Sequence, residues 1–356
     1  MDNQHLKKKL FIIGTNVVKK YNFLFPIPYF QNLIFQVKML QGTLYTFFLL
    51  FKGSSQLLIC GGYNLKADTC EVINLESPDT TCNKLTGFPT TVKRAIGGLG
   101  IKGNLVICGG EQNNIRTNNC YTLENNEWVS SDSMNSVRVD AAAVQLQDGT
   151  LLVTGGSGAT IDPLNFAEIL TEGRWEINIP SLPAAIYAHC MIAVNSTTVI
   201  AIGGSNGQWS SNKTFYYTFG DENWTEGPQL KNQRGYFGCG KIRKGNDSQE
   251  MSLIVAGGIG DGSYLSSVEI LDGDSNEWHT GPELPFKIGF SQMVEDQNGG
   301  VVLVGGESSL GSYLDTLFQL THGGEDAVWA KMEQRLKIGR YWHTAVLVHD
   351  KIVDCS

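Results

Sequence analysis

The residues best equipped for chemistry lie in two short stretches, Tyr187, His189 and Cys190 in "YAHC" and Tyr341 and His343 in "YWH". Tyrosine, histidine and cysteine gathered at one point would make a transition-metal site. Against that assembly, the chain has only six histidines, and it contains no Cys-x-x-Cys, no His-x-His and no other cluster at metal-ligand spacing. The glycine-rich loop that cradles phosphate is also missing, and the glycine pairs serve the fold. The expectation is therefore no catalytic residue, no cofactor and no metal: a protein that is not an enzyme.

The remaining chemistry is recognition. Arg138, Arg234 and Arg340, with Tyr63, Trp209, Tyr264, Tyr313 and Trp342, are residue types that dominate protein interfaces. What positions them is a repeat. A Gly-Gly pair follows an aliphatic run at Gly61, Gly109, Gly155, Gly203, Gly257 and Gly305, spaced 48, 46, 48, 54 and 48 residues apart. Each pair is followed by a polar loop, a short strand such as "CEVINL" or "VEILDG", and then an aromatic-bearing strand with Trp128, Trp175, Trp224, Trp278 or Trp329. In the first unit Cys82 takes the Trp place. A period near 50 built of four short strands is that of a propeller blade.

The Gly-Gly pair, the "VEI" or "CEV" strand and the following Trp resemble kelch repeats, six times over residues 56–356. The resemblance implies an all-β, six-bladed propeller of four antiparallel strands per blade, with a face that binds peptide or protein partners. One kelch-like branch contains copper radical oxidases similar to galactose oxidase, which keeps the Tyr187, His189, Cys190, Tyr341 and His343 set as a remote alternative. A second alternative is an intracellular adaptor for ubiquitin-ligase substrates or actin.

Blade one has no first strand ahead of "QLLICGG", whereas "HTAVLV" at the far end is a strand without a blade. The C-terminus is thus expected to supply strand one of blade one and to close the ring without a free edge. Strand parity then sorts the loops. Those between strands two and three share a face with the links between blades, which gathers Tyr63, Trp209, Tyr264 and Tyr313 with Arg138, Tyr187, His189, Arg234, Arg340, Tyr341, Trp342 and His343. These are the partner-binding candidates, with a second reading for the three arginines as brackets at blade junctions.

Cys60 with Cys70 and Cys108 with Cys120 occupy matching repeat positions on strands two and three, where antiparallel pairing opposes them, and they are expected to form disulfides. Cys82 and Cys355 are left for the closing blade. Cys190 and Cys239 read as small buried hydrophobes. Residues 1–55 stand outside the repeat as an apolar extension. "MLQGTLYTFFLLFKGSSQ", from Met39, is like a signal peptide, the other reading being a membrane-associated segment. Asn-x-Ser/Thr sites at Asn195, Asn212, Asn223 and Asn246 are candidates for glycosylation.

These features together lead us to expect a secreted protein, with a cytoplasmic one as the alternative. Its partner is expected to be a protein or peptide, with a glycan as the second class, and contact with membrane only through residues 1–55 if they are retained. A net charge of −8 and a pI near 5.3 argue against nucleic acid.

Overall fold

In the computed structural model the chain forms two compact units, Met1–Gly53 and Ser54–Ser356. The structure describes residues 55–63, 67–76, 85–100, 103–273, 275–349 and 352–353, together with four strands of the first unit. Those four form two hairpins, Lys8–Gly14 with Val17–Phe23 and Phe35–Lys38 with Leu44–Phe47. The leader expected from Met39 falls largely outside the described residues, as do Cys82 and Cys355.

The second unit is all β. Five of its sheets have four antiparallel strands in sequence order, and a sixth joins Thr344–His349 to Ser55–Cys60 and Cys70–Asn74. Counting that mixed sheet as blade one, the first strands of the blades are Thr344–His349, Ile96–Leu99, Ala142–Gln145, Cys190–Ala193, Gly238–Arg243 and Gln292–Glu295. Each adjoins the next, and the sixth adjoins the first, so the circuit is closed. The C-terminal strand therefore sits where the unpaired sequence "HTAVLV" required it.

The second strands show why these sequences form blades. Leu105–Cys108, Leu151–Thr154 and Val301–Val304 are buried at every position, because a neighbouring blade covers each face of the sheet. Such strands read as unbroken aliphatic and β-branched runs instead of alternating ones. Among the described residues the apolar core is divided into six clusters, each drawing on two successive blades, one per junction. A buried Val, Leu or Ile in such a layer contributes roughly 1.5–3 kcal/mol.

The tryptophans stitch the same junctions. Nε1 of Trp175, Trp224, Trp278 and Trp329 donates to the carbonyl of Asp132, Pro180, Pro228 and Pro282 in the preceding blade, at 2.9–3.0 Å.

Two disulfides join strands two and three within a blade, Cys60–Cys70 and Cys108–Cys120, each with Cα atoms 4.1 Å apart in directly opposed register. A third corrects the expectation for Cys190 and Cys239. They are bonded to each other across blades four and five. Neither is followed by a partner in its own repeat; they meet because both occupy first strands, which lie side by side around the axis.

Candidate functional site

The links between blades share one backbone design. Each ends in a residue whose carbonyl accepts from the second glycine of a Gly-Gly pair: Val92 from Gly62, Arg138 from Gly110, Ile186 from Gly156, Arg234 from Gly204, Ile288 from Gly258 and Arg340 from Gly306. The first glycine must stay bare. A Cβ on Gly109 or Gly203 would stand 2.6 Å from the carbonyl oxygen of Arg138 or Arg234, and all twelve glycines of the pairs have positive φ.

Two residues beyond that carbonyl, every link turns left-handed. Arg94, Asp140, Ala188, Tyr236, Phe290 and Trp342 have φ between 53° and 59°. The backbone amide of each donates to the carbonyl of the one before, at 2.8–3.4 Å, and Arg94 closes the circle by donating to Trp342. Six non-glycine residues in this conformation are individually unfavourable, and the closed hydrogen-bond ring holds them there.

The side chains of this belt divide the face in two. On one side Arg94 is bonded to Asp140 through Nε, at 2.9 Å, and through its terminal nitrogen, and to Glu111 at 2.9 Å. Lys93 meets the same Glu111 at 3.1 Å, and Tyr236 donates to Asp140 at 3.1 Å. Burial opposes the Arg94 charge, but the Asp140 bonds outweigh it and raise the guanidinium's pKa. Burial likewise opposes ionisation of Glu111, yet Lys93 and Arg94 hold it below the usual carboxylate range.

On the other side lie rings. Tyr341 packs 4.7 Å from Trp342, 4.9 Å from Tyr313 and 5.2 Å from Tyr63. Phe290 joins them, 5.2 Å from Trp342 and 4.5 Å from Tyr236. Arg94 stacks on Trp342 at 4.9 Å, where the two halves meet. Below the belt is a cavity of about 80 Å³, lined by Arg94, Asp140, His189, Tyr236, Ser291 and His343 among others.

The expected partner-binding residues separate sharply. Tyr63 and Tyr313 are 44% exposed and Trp209 63%. Tyr187, Tyr264 and Trp342 are half-buried, the Tyr264 hydroxyl donating to Glu307 at 2.7 Å. Tyr341 is largely covered by its neighbours.

Arg138, Arg234 and Arg340 are corrected: they are at most 1% exposed and reach into the following blade. Each donates to the carbonyl of a Gly-Gly glycine, at Gly155, Gly257 and Gly61 respectively. Each also pairs with the glutamate of strand three, Glu168, Glu269 or Glu71. They are junction brackets, and burial, opposed by the glutamate charge, lowers their pKa.

His189 and His343 are also withdrawn from the surface. Burial, reinforced by the nearby Arg138 and Arg340, lowers their pKa to about 3, so both are neutral. Nε2 of His189 is hydrogen-bonded to Thr154 Oγ1 at 2.7 Å, and Cys190 is held in its disulfide. Among the described residues no three His, Cys, Asp or Glu side chains converge as metal ligands.

The sequence reading overlooked Arg94, Asp140, Tyr236 and Phe290. Their signal is positional: each stands two residues past the junction residue, as Trp342 does past Arg340.

The Kelch motif family matches residues 252–285, which cover the second to fourth strands of blade five. Kelch-like protein 41a of Danio rerio is 26% identical over 189 residues, covering 50% of this chain and 30% of that protein. Kelch-like protein 34 of Homo sapiens is 33% identical over 114 residues, 30% of this chain and 16% of its own length. The chain thus spans less than a third of the curated relatives it matches. The solved structure of YjhT superposes with a TM-score of 0.65 at 16% identity, covering 79% of this chain and 97% of that one. The chain carries a Kelch motif in blade five and folds as a β-propeller similar to that of YjhT.

Proposed function

We propose that this propeller is a non-catalytic module that binds a protein or peptide partner through the face carrying the inter-blade links and the loops between strands two and three. The observation that carries the reading is the cluster of Tyr63, Tyr313, Tyr341 and Trp342 on that face, rigid underneath and partly open above. Tyrosine and tryptophan supply large contact area with few rotatable bonds to freeze, which is why they concentrate binding energy at interfaces. A photo-crosslinking residue replacing Tyr313 is expected to trap a protein partner, while the same residue replacing Met251, at the opposite end of strand two, is not. Equal trapping from both positions would overturn the face assignment.

We further propose that the protein is exported. Three disulfides among the described residues support an oxidising compartment. Asn195, Asn223 and Asn246 are exposed in turns between strands one and two or three and four, away from the aromatic face. N-glycans there would leave that face open. Asn212 differs, since its Nδ2 donates to the Leu230 carbonyl at 3.2 Å and a glycan on that atom would compete with the bond. Intact mass of protein from eukaryotic cells, with and without reductant and glycosidase, is expected to show disulfides and glycans. Free thiols on an unprocessed chain would refute export.

A further inference from the structure

The aromatic platform also says what kind of partner it suits, given that this face binds a peptide at all. Tyr63 and Tyr313 stand edge to face at 6.0 Å, both nearly half exposed, over the buried Tyr341 ring. Trp342 flanks Tyr63 at 6.4 Å. Rings braced against one another in this way give flat apolar surface that loses little freedom when covered.

The charges bordering the platform are already committed. Arg94 lies over the Trp342 ring and is tied to Asp140 and Glu111. Lys93 lies 5.7 Å from the Tyr63 ring and is paired with Glu111. The protein's own cations thus lie over the Tyr63 and Trp342 rings, so a basic segment would meet like charge there. An acidic segment would fare no better, because Lys93 and Arg94 are already engaged by Glu111 and Asp140, and Glu307 lies beside Tyr313.

What remains is apolar ring surface and tyrosine hydroxyls. Proline rings match the first, and the unbonded carbonyls of a polyproline helix match the second. Such a helix has no internal hydrogen bonds to break and is extended before it binds, so docking costs little ordering entropy. Strand addition is disfavoured here, since the sheets present their loops to this face and their outer strands away from it. We propose that the partner lays an uncharged, proline-rich segment across the platform formed by Tyr63, Tyr313 and Trp342.

The test is titration of the intact protein, by calorimetry, with a short polyproline peptide and with oligoglutamate and oligolysine of equal length. Polyproline is expected to bind with an affinity indifferent to salt. The Tyr313→Ala variant should weaken it at least about tenfold, as loss of an aromatic anchor does. Met251→Ala on the opposite face should leave it unchanged, and near-ultraviolet circular dichroism should show both variants folded. No binding of polyproline, tighter binding of either charged peptide, or a strong loss of affinity with salt would overturn the proposal. Should polyproline fail while crosslinking from position 313 still traps a partner, the ligand class falls and the face assignment stands.

Discussion

The six blade junctions are of two chemical kinds, and they alternate. At junctions two–three, four–five and six–one, a buried arginine crosses into the next blade. Arg138, Arg234 and Arg340 bind Glu168, Glu269 and Glu71, and the same glutamates accept backbone amides from Asn135, Lys231 and Lys337 at 2.6–2.8 Å. At the other three junctions the arginine position holds Val92, Ile186 or Ile288, and the glutamate position holds Tyr121, Phe215 or Phe318. Backbone geometry is the same at all six, since the junction carbonyl always accepts from the second glycine. Polar clamp and apolar plug are therefore interchangeable solutions to one packing problem, and this ring uses them as three two-blade units.

The largest effect should come from breaking one clamp. Arg234→Ala leaves Glu269 buried without its cation, and a loss of about 3–5 kcal/mol is expected in denaturant unfolding. Replacing both partners, as Arg234→Ile with Glu269→Phe, copies the apolar junctions and should cost much less than the sum of the single replacements. Strict additivity would mean the two kinds of junction are not equivalent.

Next come the disulfides. Cys190–Cys239 spans 49 residues and reinforces a clamped junction, whereas Cys108–Cys120 spans 12 within one blade. The chain-entropy model gives roughly 4 kcal/mol for the longer link and 3 for the shorter. Serine pairs at each, compared by thermal unfolding, should preserve that order. The reverse order would show that the clamp beside Cys190–Cys239 already holds blades four and five together.

The histidines probe one junction of each kind. His189 faces Thr154 across the apolar junction three–four, and His343 lies at the clamped junction six–one. With folded pKa values of about 3 against 6.5 unfolded, the unfolded chain binds more protons between those limits. Their contribution is complete above pH 6.5 and is lost as the pH falls towards 3. Replacing His189 with glutamine should flatten that acid limb of the stability curve; an unchanged slope would show that His189 is already charged in the fold.

The four-stranded repeat, the closing strand and the two in-blade disulfides were legible because each depends on a local signal repeated at fixed spacing. Gly61–Gly62 and Cys60 opposite Cys70 need only the antiparallel register. The alternation was half visible. Arg138, Arg234 and Arg340 stood out as repeat-equivalent, but their partners Glu71, Glu168 and Glu269 lie inside "CEV", "AEI" and "VEI", where nothing in so short a strand marks a glutamate as buried. A buried charge is recognised by its partner, and these partners are 30 or 35 residues away or at the opposite end of the chain. The belt was less visible still. Arg94, Asp140, Ala188, Tyr236, Phe290 and Trp342 share a backbone conformation and no side-chain chemistry, so no residue pattern marks them. Cys190 and Cys239 illustrate the same limit, their bond depending on how first strands are arranged around the axis.

The smallest effect tests whether the two kinds of junction differ only at the clamp. Trp224 bonds Pro180 across an apolar junction and Trp278 bonds Pro228 across a clamped one, both at 2.9 Å and both with buried rings. Trp→Phe at either position removes a hydrogen bond worth about 1 kcal/mol and leaves a similar small void. If blades pack alike apart from the arginine and glutamate positions, the two losses should agree within about 0.5 kcal/mol, the usual tolerance for independent sites. A clearly larger loss at Trp224 would mean that the apolar junction leans on its tryptophan for what the clamp supplies elsewhere, so that the alternation extends through the whole thickness of the ring.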